Sequence, residues 1–188
     1  MMCENLSLTH ICASCQKTFL TPALYRRKLP NGIEVLSFYK YKEIQELLFT
    51  KHTDIGFYIY SILAELSLKK FSDAFHLGER VHSIAIDDTI KSGYSHTAIL
   101  NKALKSYAIK PLYKRVRARN SISYSGKSRE FRLKNPRDFE VKKFRGNSVI
   151  LVDDIITTGT TLTQAIEALR REGKEVLFCL TLCDVSVT

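Results

Sequence analysis

The sequence predicts an α/β fold: a mostly parallel central sheet with flanking helices, plus a small cysteine-containing N-terminal segment. Three observations carry this. Short apolar runs alternate with amphipathic segments of helix length. One run, Val149-Ile150-Leu151-Val152, has no polar interruption, as a strand covered on both faces has none. The chain has 188 residues, 45% of them apolar and 26% charged, which suits one sizeable core and neither two full domains nor a disordered chain.

Taken in order, residues 1–28 form the small segment and hold Cys3, Cys12 and Cys15, three of the five cysteines. The main domain spans 29–188. Leu29-Pro30-Asn31-Gly32 is a turn signal, and Ile33 to Tyr39 reads as a strand. Tyr41 to Phe49 and Ile55 to Lys70 read as helices; in the second, Tyr58, Ile62, Leu66 and Lys69 recur at helical spacing. Val81 to Ile86 is a short strand that ends in Asp87-Asp88, and Tyr94 to Tyr107 is a helix. A basic, polar stretch follows from Lys110 to Arg145. Ser148 to Val152 is the buried strand, Thr161 to Glu172 a helix stopped by Gly173, and Glu175 to Cys183 the last strand. The most apolar stretch, Ile55 to Leu66, is too short to span a bilayer, and the N-terminus lacks the pattern of a signal peptide. A cytoplasmic location is therefore expected, with the cysteines as thiols or metal ligands.

The most informative segment runs from Val149 to Thr161, VILVDDIITTGTT. A buried strand delivers Asp153 and Asp154 to the carboxyl end of the sheet, where open α/β folds bind ligands. A threonine-rich loop with Gly159 then enters a helix. Backbone N–H groups, hydroxyls and the helix dipole converge there on a place that suits a phosphate monoester. Two carboxylates repel a phosphate but suit vicinal hydroxyls. Diol and phosphate side by side describe a ribose 5-phosphate.

This segment resembles the signature of type I phosphoribosyltransferases: four apolar residues, two acids, three variable residues, then Thr, Gly, any residue, Thr. The resemblance implies that Asp153 and Asp154 hold the ribose hydroxyls of phosphoribosyl pyrophosphate (PRPP). It implies that Thr157, Thr158, Gly159, Thr160 and Thr161 hold its 5-phosphate, with Mg²⁺ as the companion ion. Asp154→Asn is then expected to weaken PRPP binding and spare the fold. Over most of its length the chain is also similar to the ComF family of competence proteins. Leu29-Pro30 follows a cysteine-bearing N-terminus; Gly93-Tyr94 stands where that family has Arg-Gly-Phe-Asn-Gln; Arg132-Leu133-Lys134-Asn135 and Phe139 stand where it has Arg-x-x-Asn and Phe. The chain departs from the family at Ile86-Asp87-Asp88, where Pro-Val-Pro is usual. Acids there repel a pyrophosphate unless Mg²⁺ intervenes, with Lys91 as a candidate cation; the alternative is that Asp87 and Asp88 point to solvent.

Cys12-Ala13-Ser14-Cys15 has the spacing with which two thiolates share a Zn²⁺. Cys3 is a third ligand and His10 a candidate fourth. A degenerate finger without metal is the competing reading. Cys179 and Cys183, four apart on a strand, are expected on one side of it, in the core.

The formal net charge is +10, and residues 110–145, with thirteen cations and three acids, account for all of it. Lys114, Arg115, Arg117, Arg119, Lys127 and Arg129, interleaved with Tyr113, Tyr124, Phe131, Phe139 and Phe144, suit a single-stranded nucleic acid. A solvated basic face over core phenylalanines is the alternative. Taken with the resemblance, these features imply a PRPP-binding protein that assists natural transformation, handling single-stranded DNA beside the DNA-uptake machinery. The alternative is a salvage or biosynthetic enzyme that displaces pyrophosphate from PRPP. A binding module that has kept the fold and lost the chemistry is a third reading.

Overall fold

The computed structural model describes residues 3, 7–87, 93–119 and 137–187. Asp88, Lys91, Lys127, Arg129 and the element Arg132 to Asn135 lie outside the described residues. In chain order the elements are α1 (Ala13–Phe19), β1 (Tyr25–Lys28), β2 (Glu34–Lys40), α2 (Tyr41–Leu48), a short turn (Phe49–His52) and α3 (Asp54–Ala64). A wide helical turn (Glu65–Lys69) continues α3 into α4 (Lys70–Ala74). Then come β3 (Val81–Asp87), α5 (His96–Ala103), β4 (Ile109–Ala118), β5 (Phe139–Val141), β6 (Ser148–Ile156), α6 (Thr160–Arg171) and β7 (Glu175–Asp184).

The strands form one sheet in the order β1-β2-β7-β6-β3-β4-β5. The five inner strands are parallel, and β1 and β5 close the edges antiparallel. The expected fold class holds: a mostly parallel sheet, helices on both faces, and a cysteine cluster in the N-terminal segment. The boundary expected after residue 28 falls between the two strands of the β1–β2 hairpin.

Alternation along β6 explains the layering. Ile150 and Val152 enter a core with Ile44, Leu48, Tyr60, Leu63 and Leu100 from α2, α3 and α5. Val149 and Leu151 enter the opposite core with Leu162, Ile166 and Leu169 from α6. The α6 residues recur every three or four positions, so one stripe of that helix faces the sheet. Each fully buried aliphatic side chain contributes about 1.5–3 kcal/mol. Cys179 and Cys183 are both buried, but Cys179 packs under α6 and Cys183 on the other face. The expectation of a shared side is therefore corrected; Cys183 is the penultimate residue of β7, where the strand leaves its alternation.

Several elements differ from the sequence reading, and α1, β1 and β5 carried no prediction at all. β6 runs beyond Val152 through both acids to Ile156, and α5 is shorter than Tyr94 to Tyr107. β4 lies inside the basic stretch that carried no predicted element. Its cations mask a strand that is irregular too: Ile84 pairs with Leu112 but Ile86 with Val116, and Lys114 in the resulting bulge has φ +54°.

From β3 the chain proceeds to β4 on one side; from β6 it proceeds to β7 on the other. The carboxyl ends of β3 and β6 thus flank the point where the winding reverses, the usual ligand position in open α/β sheets. Among the described residues no helix is long and apolar enough to cross a membrane.

Candidate functional site

The two adjacent acids at the end of β6 have different surroundings. Asp154 is buried at 7% exposure. Its Oδ2 lies 3.3 Å from Lys51 Nζ, 3.3 Å from His96 Nε2 and 3.4 Å from the Tyr60 hydroxyl, which donates to it. Burial alone raises the pKa of Asp154. The His96 hydrogen bond and the Lys51 charge outweigh burial and hold the carboxyl well below the usual aspartate range. Burial, and then the Asp154 charge, push the Tyr60 hydroxyl up, so it stays a donor. Asp153 is half-buried, and its Oδ1 accepts the Asp154 backbone N–H at 2.9 Å. One oxygen of Asp154 is therefore engaged by the protein's own donors, whereas Asp153 is the more exposed of the pair.

The loop after β6 leads directly into the N-terminus of α6, an end that favours anions. Gly159 sits at φ +78°, the left-handed region, and opens α6 at Thr160. A Cβ there would lie 2.5 Å from Leu29 Cδ2, so the hairpin turn packs directly on this glycine. The Thr158 and Thr160 hydroxyls are 2.9 Å apart. The first N–H groups of α6 have no carbonyl within the helix to bind, and the helix dipole adds positive potential at the same end. Thr158 is exposed, while Thr157, Thr160 and Thr161 are half-buried. The Thr157 carbonyl points out of the loop and accepts from Arg27 Nη1 at 2.8 Å.

Tyr94, just before α5, donates to the carbonyls of Lys51 (2.8 Å) and Thr53 (3.1 Å). It presses on α3 at Gly56, where a Cβ would lie 2.0 Å from the Thr50 carbonyl oxygen and 2.2 Å from the Tyr94 hydroxyl. Tyr94 thereby fixes the turn that carries Lys51. The α5 N-cap, Ser95, accepts from Ala98 N–H and places His96 at the helix start. Sequence reasoning missed Arg27, Lys51, Tyr60 and His96. Each is a single residue from a different element, and no spacing in the sequence links them.

In the N-terminal segment the Cys3, Cys12 and Cys15 sulfurs lie within 4.8 Å of one another. Cys3 Sγ and Cys12 Sγ are 3.3 Å apart. The Cys15 backbone N–H, and then the Cys3 thiol, lower the Cys12 pKa. The Cys15 thiol is pushed up to about 12, first by its hydrogen bond with Cys3 and then by burial. His10 stands outside this group: its ring lies 4.2 Å from that of Tyr58.

On β4, Lys114 and Arg117 are exposed, as is Arg119 just beyond it; Arg119 lies 3.7 Å from Asp138. Arg115 is half-buried and donates to the Lys143 carbonyl at 3.0 Å. Phe139 is core, and Phe144 packs against the same core with Lys174 Nζ over its ring. Of the interleaved aromatic residues within the described residues, Tyr113 is the exposed one.

Residues 114–188 match the phosphoribosyl transferase domain family. The transcriptional regulator GfcR of Haloferax volcanii is 46% identical over 39 residues, 21% of this chain and 19% of that protein. The orotate phosphoribosyltransferase of Methanopyrus kandleri is 48% identical over 40 residues, 21% of this chain and 22% of that enzyme. The matches thus span about a fifth of the length of these curated relatives. Among solved structures, the orotate phosphoribosyltransferase of Aeropyrum pernix superposes with a TM-score of 0.44 at 20% identity, covering 92% of this chain and 80% of that one. The fold assignment rests on the sheet topology and on the matched segment.

Proposed function

We propose that this chain binds PRPP with Mg²⁺, holding the 5-phosphate in the loop Thr157 to Thr161 and the ribose hydroxyls at Asp153. The observation that carries this reading is the left-handed Gly159 between the end of β6 and the start of α6, at the winding reversal of the sheet. Asp154 has a second duty beside the diol, since one of its oxygens holds Lys51 and His96. Mg²⁺ is a hard ion that favours phosphate and carboxylate oxygens, and Asp153 is a carboxylate of that kind at this mouth. When bound, Mg²⁺ neutralises pyrophosphate charge. Asp153 orients the sugar, the loop fixes its phosphorylated end, and Lys91, outside the described residues, is the proposed pyrophosphate cation.

Titration calorimetry with PRPP and Mg²⁺ tests the reading; absence of binding overturns it. The second reading, displacement of pyrophosphate by an acceptor, is supported by the segment shared with an orotate phosphoribosyltransferase. The same segment is shared with a transcriptional regulator, so release of pyrophosphate with candidate acceptors decides between catalysis and binding.

The finer role in natural transformation is supported by the ComF resemblance and by the exposed cations Lys114, Arg117 and Arg119. It places the protein in the cytoplasm, with single-stranded DNA and the uptake machinery as partners. The Cys3, Cys12 and Cys15 group fits Zn²⁺ in donor chemistry, three soft sulfurs within reach of one ion. With His10 packed on Tyr58, the fourth position falls to another donor.

A further inference from the structure

Arg27 has no place in the signature and lies on β1, outside the segment that matches the phosphoribosyl transferase domain. Its Nη1 reaches three acceptors: the Thr157 carbonyl at 2.8 Å, Asp184 Oδ1 at 3.1 Å and the Ser186 hydroxyl at 3.3 Å. The Asp184 side chain is 2% exposed, and a carboxylate so buried needs a compensating partner. Arg27 is that partner, together with the Ser186 N–H and hydroxyl, both at 2.8 Å from Oδ1. The Val185 N–H donates to the Ile156 carbonyl at 3.0 Å and ties the ends of β6 and β7 together at the same place.

We propose that Arg27 is a positioning residue for the phosphate loop: by holding the Thr157 carbonyl, it turns the Thr158 N–H toward a bound phosphate monoester. The proposal deepens the PRPP reading above and rests on it. The stereochemistry is simple. In a planar trans peptide the C=O and the following N–H point in opposite directions. A Thr157 carbonyl fixed toward Arg27 therefore fixes the Thr158 N–H away from it, toward the face where α6 begins. Leu29, two residues along the same hairpin, presses on Gly159, where a Cβ would lie 2.5 Å from its Cδ2. The hairpin edge thus sets the loop at two points, a hydrogen bond at Thr157 and a steric stop at Gly159. Arg27 does not serve as the phosphate ligand itself. Its Nη1 is committed to these three acceptors, and Asp184 offsets its charge, so Arg27 is assigned to the loop and not to the phosphate.

The test uses the full chain and three probes: ribose 5-phosphate, PRPP with Mg²⁺, and inorganic pyrophosphate with Mg²⁺. Arg27→Ala is expected to weaken ribose 5-phosphate and PRPP by the same factor, about tenfold for one lost charge-assisted contact. Pyrophosphate affinity stays unchanged, and Arg27→Lys, which keeps a cationic donor, restores most of the loss. If Arg27→Ala does not fold, Arg27→Gln takes its place as the variant expected to lose affinity, with Arg27→Lys still the rescue. A lower thermal midpoint with unchanged ribose 5-phosphate affinity overturns the proposal and leaves the PRPP reading standing. Equal loss of all three probes also overturns it, because that is general collapse. A wild-type protein that binds neither ribose 5-phosphate nor PRPP overturns the loop reading itself, and this proposal with it.

Discussion

Lys51 Nζ lies 3.3 Å from Asp154 Oδ2, and the two residues come from elements 103 positions apart in the chain. The contact joins the turn before α3 to the end of β6, so it braces the helical layer against the sheet at the mouth of the site. It also changes what Asp154 reports. The sequence suggests that Asp154→Asn affects ligand alone, whereas the structure makes the same residue an anchor for Lys51, Tyr60 and His96.

Asp154→Asn is therefore expected to destabilise the protein by about 2–3 kcal/mol at neutral pH, discounted because Lys51 can partly rehydrate. The sign of the pH dependence follows from the direction of the shift. The folded carboxyl is held below its ordinary value, so its contribution is complete above the unfolded value, about 3.9, and fades as pH falls toward the folded one. Denaturant unfolding of both proteins from neutral pH downward checks this: the gap should shrink below about pH 4. A gap independent of pH would show that the carboxylate charge is not what stabilises. Asp153→Asn, by contrast, should weaken PRPP binding with a small stability cost, and is the cleaner test of diol recognition.

Gly159→Ala has two separable costs. The left-handed backbone costs a residue with a Cβ about 1–2 kcal/mol, and contact with Leu29 adds a steric part. In a Leu29→Ala background the steric part should vanish, leaving the backbone part alone. A double-mutant cycle by thermal or urea unfolding reads this as a coupling energy. Strict additivity would mean that Leu29 and Gly159 do not press on each other.

How much of this was legible follows from what each residue depends on. The β6 strand, its two acids and the glycine loop declare themselves because one continuous segment carries both the hydrophobic pattern and the turn chemistry. β4 does not, because Lys110, Lys114, Arg115 and Arg117 and the bulge at Lys114 erase the period-two pattern that marks a strand. Lys51, His96 and Arg27 are site residues only by tertiary placement. Gly56 is a local hint, since a glycine inside a helix calls for a neighbour too close for a side chain; the Thr50 carbonyl and then the Tyr94 hydroxyl are those neighbours. The split between Asp153 and Asp154 is a consequence of strand pleat together with donors contributed by other elements, which adjacency in sequence conceals.

The cysteine cluster should reveal itself by reaction order. In metal-free protein a thiol-alkylating reagent at neutral pH should modify Cys12 ahead of Cys15, because the thiolate is the reactive form. The Cys15 N–H favours the Cys12 thiolate, while Cys15 is raised to about 12. Cys179, buried and likewise raised to about 12, should react last together with Cys183. Peptide mass mapping over time checks the order. Stoichiometric Zn²⁺ should protect Cys3, Cys12 and Cys15 together; protection of none of them would leave three thiols without a metal role.

The basic strand separates a binding role from a structural one. Arg117 and Arg119 are exposed, and the Arg119–Asp138 pair at 3.7 Å lies at the surface, where such pairs contribute little. Arg115 instead links β4 to the Lys143 carbonyl beyond β5. If the strand contacts single-stranded DNA, Arg117→Ala and Arg119→Ala should each weaken binding at every sequence and lower the salt slope by about one. Their thermal midpoints should stay close to wild type. Arg115→Ala should lower the midpoint because it removes the hydrogen bond between those segments. Fluorescence anisotropy with a labelled oligonucleotide at several salt concentrations, beside thermal melts, reads both effects. Binding that persists unchanged in the Arg117→Ala, Arg119→Ala double variant would move the DNA interface off this strand.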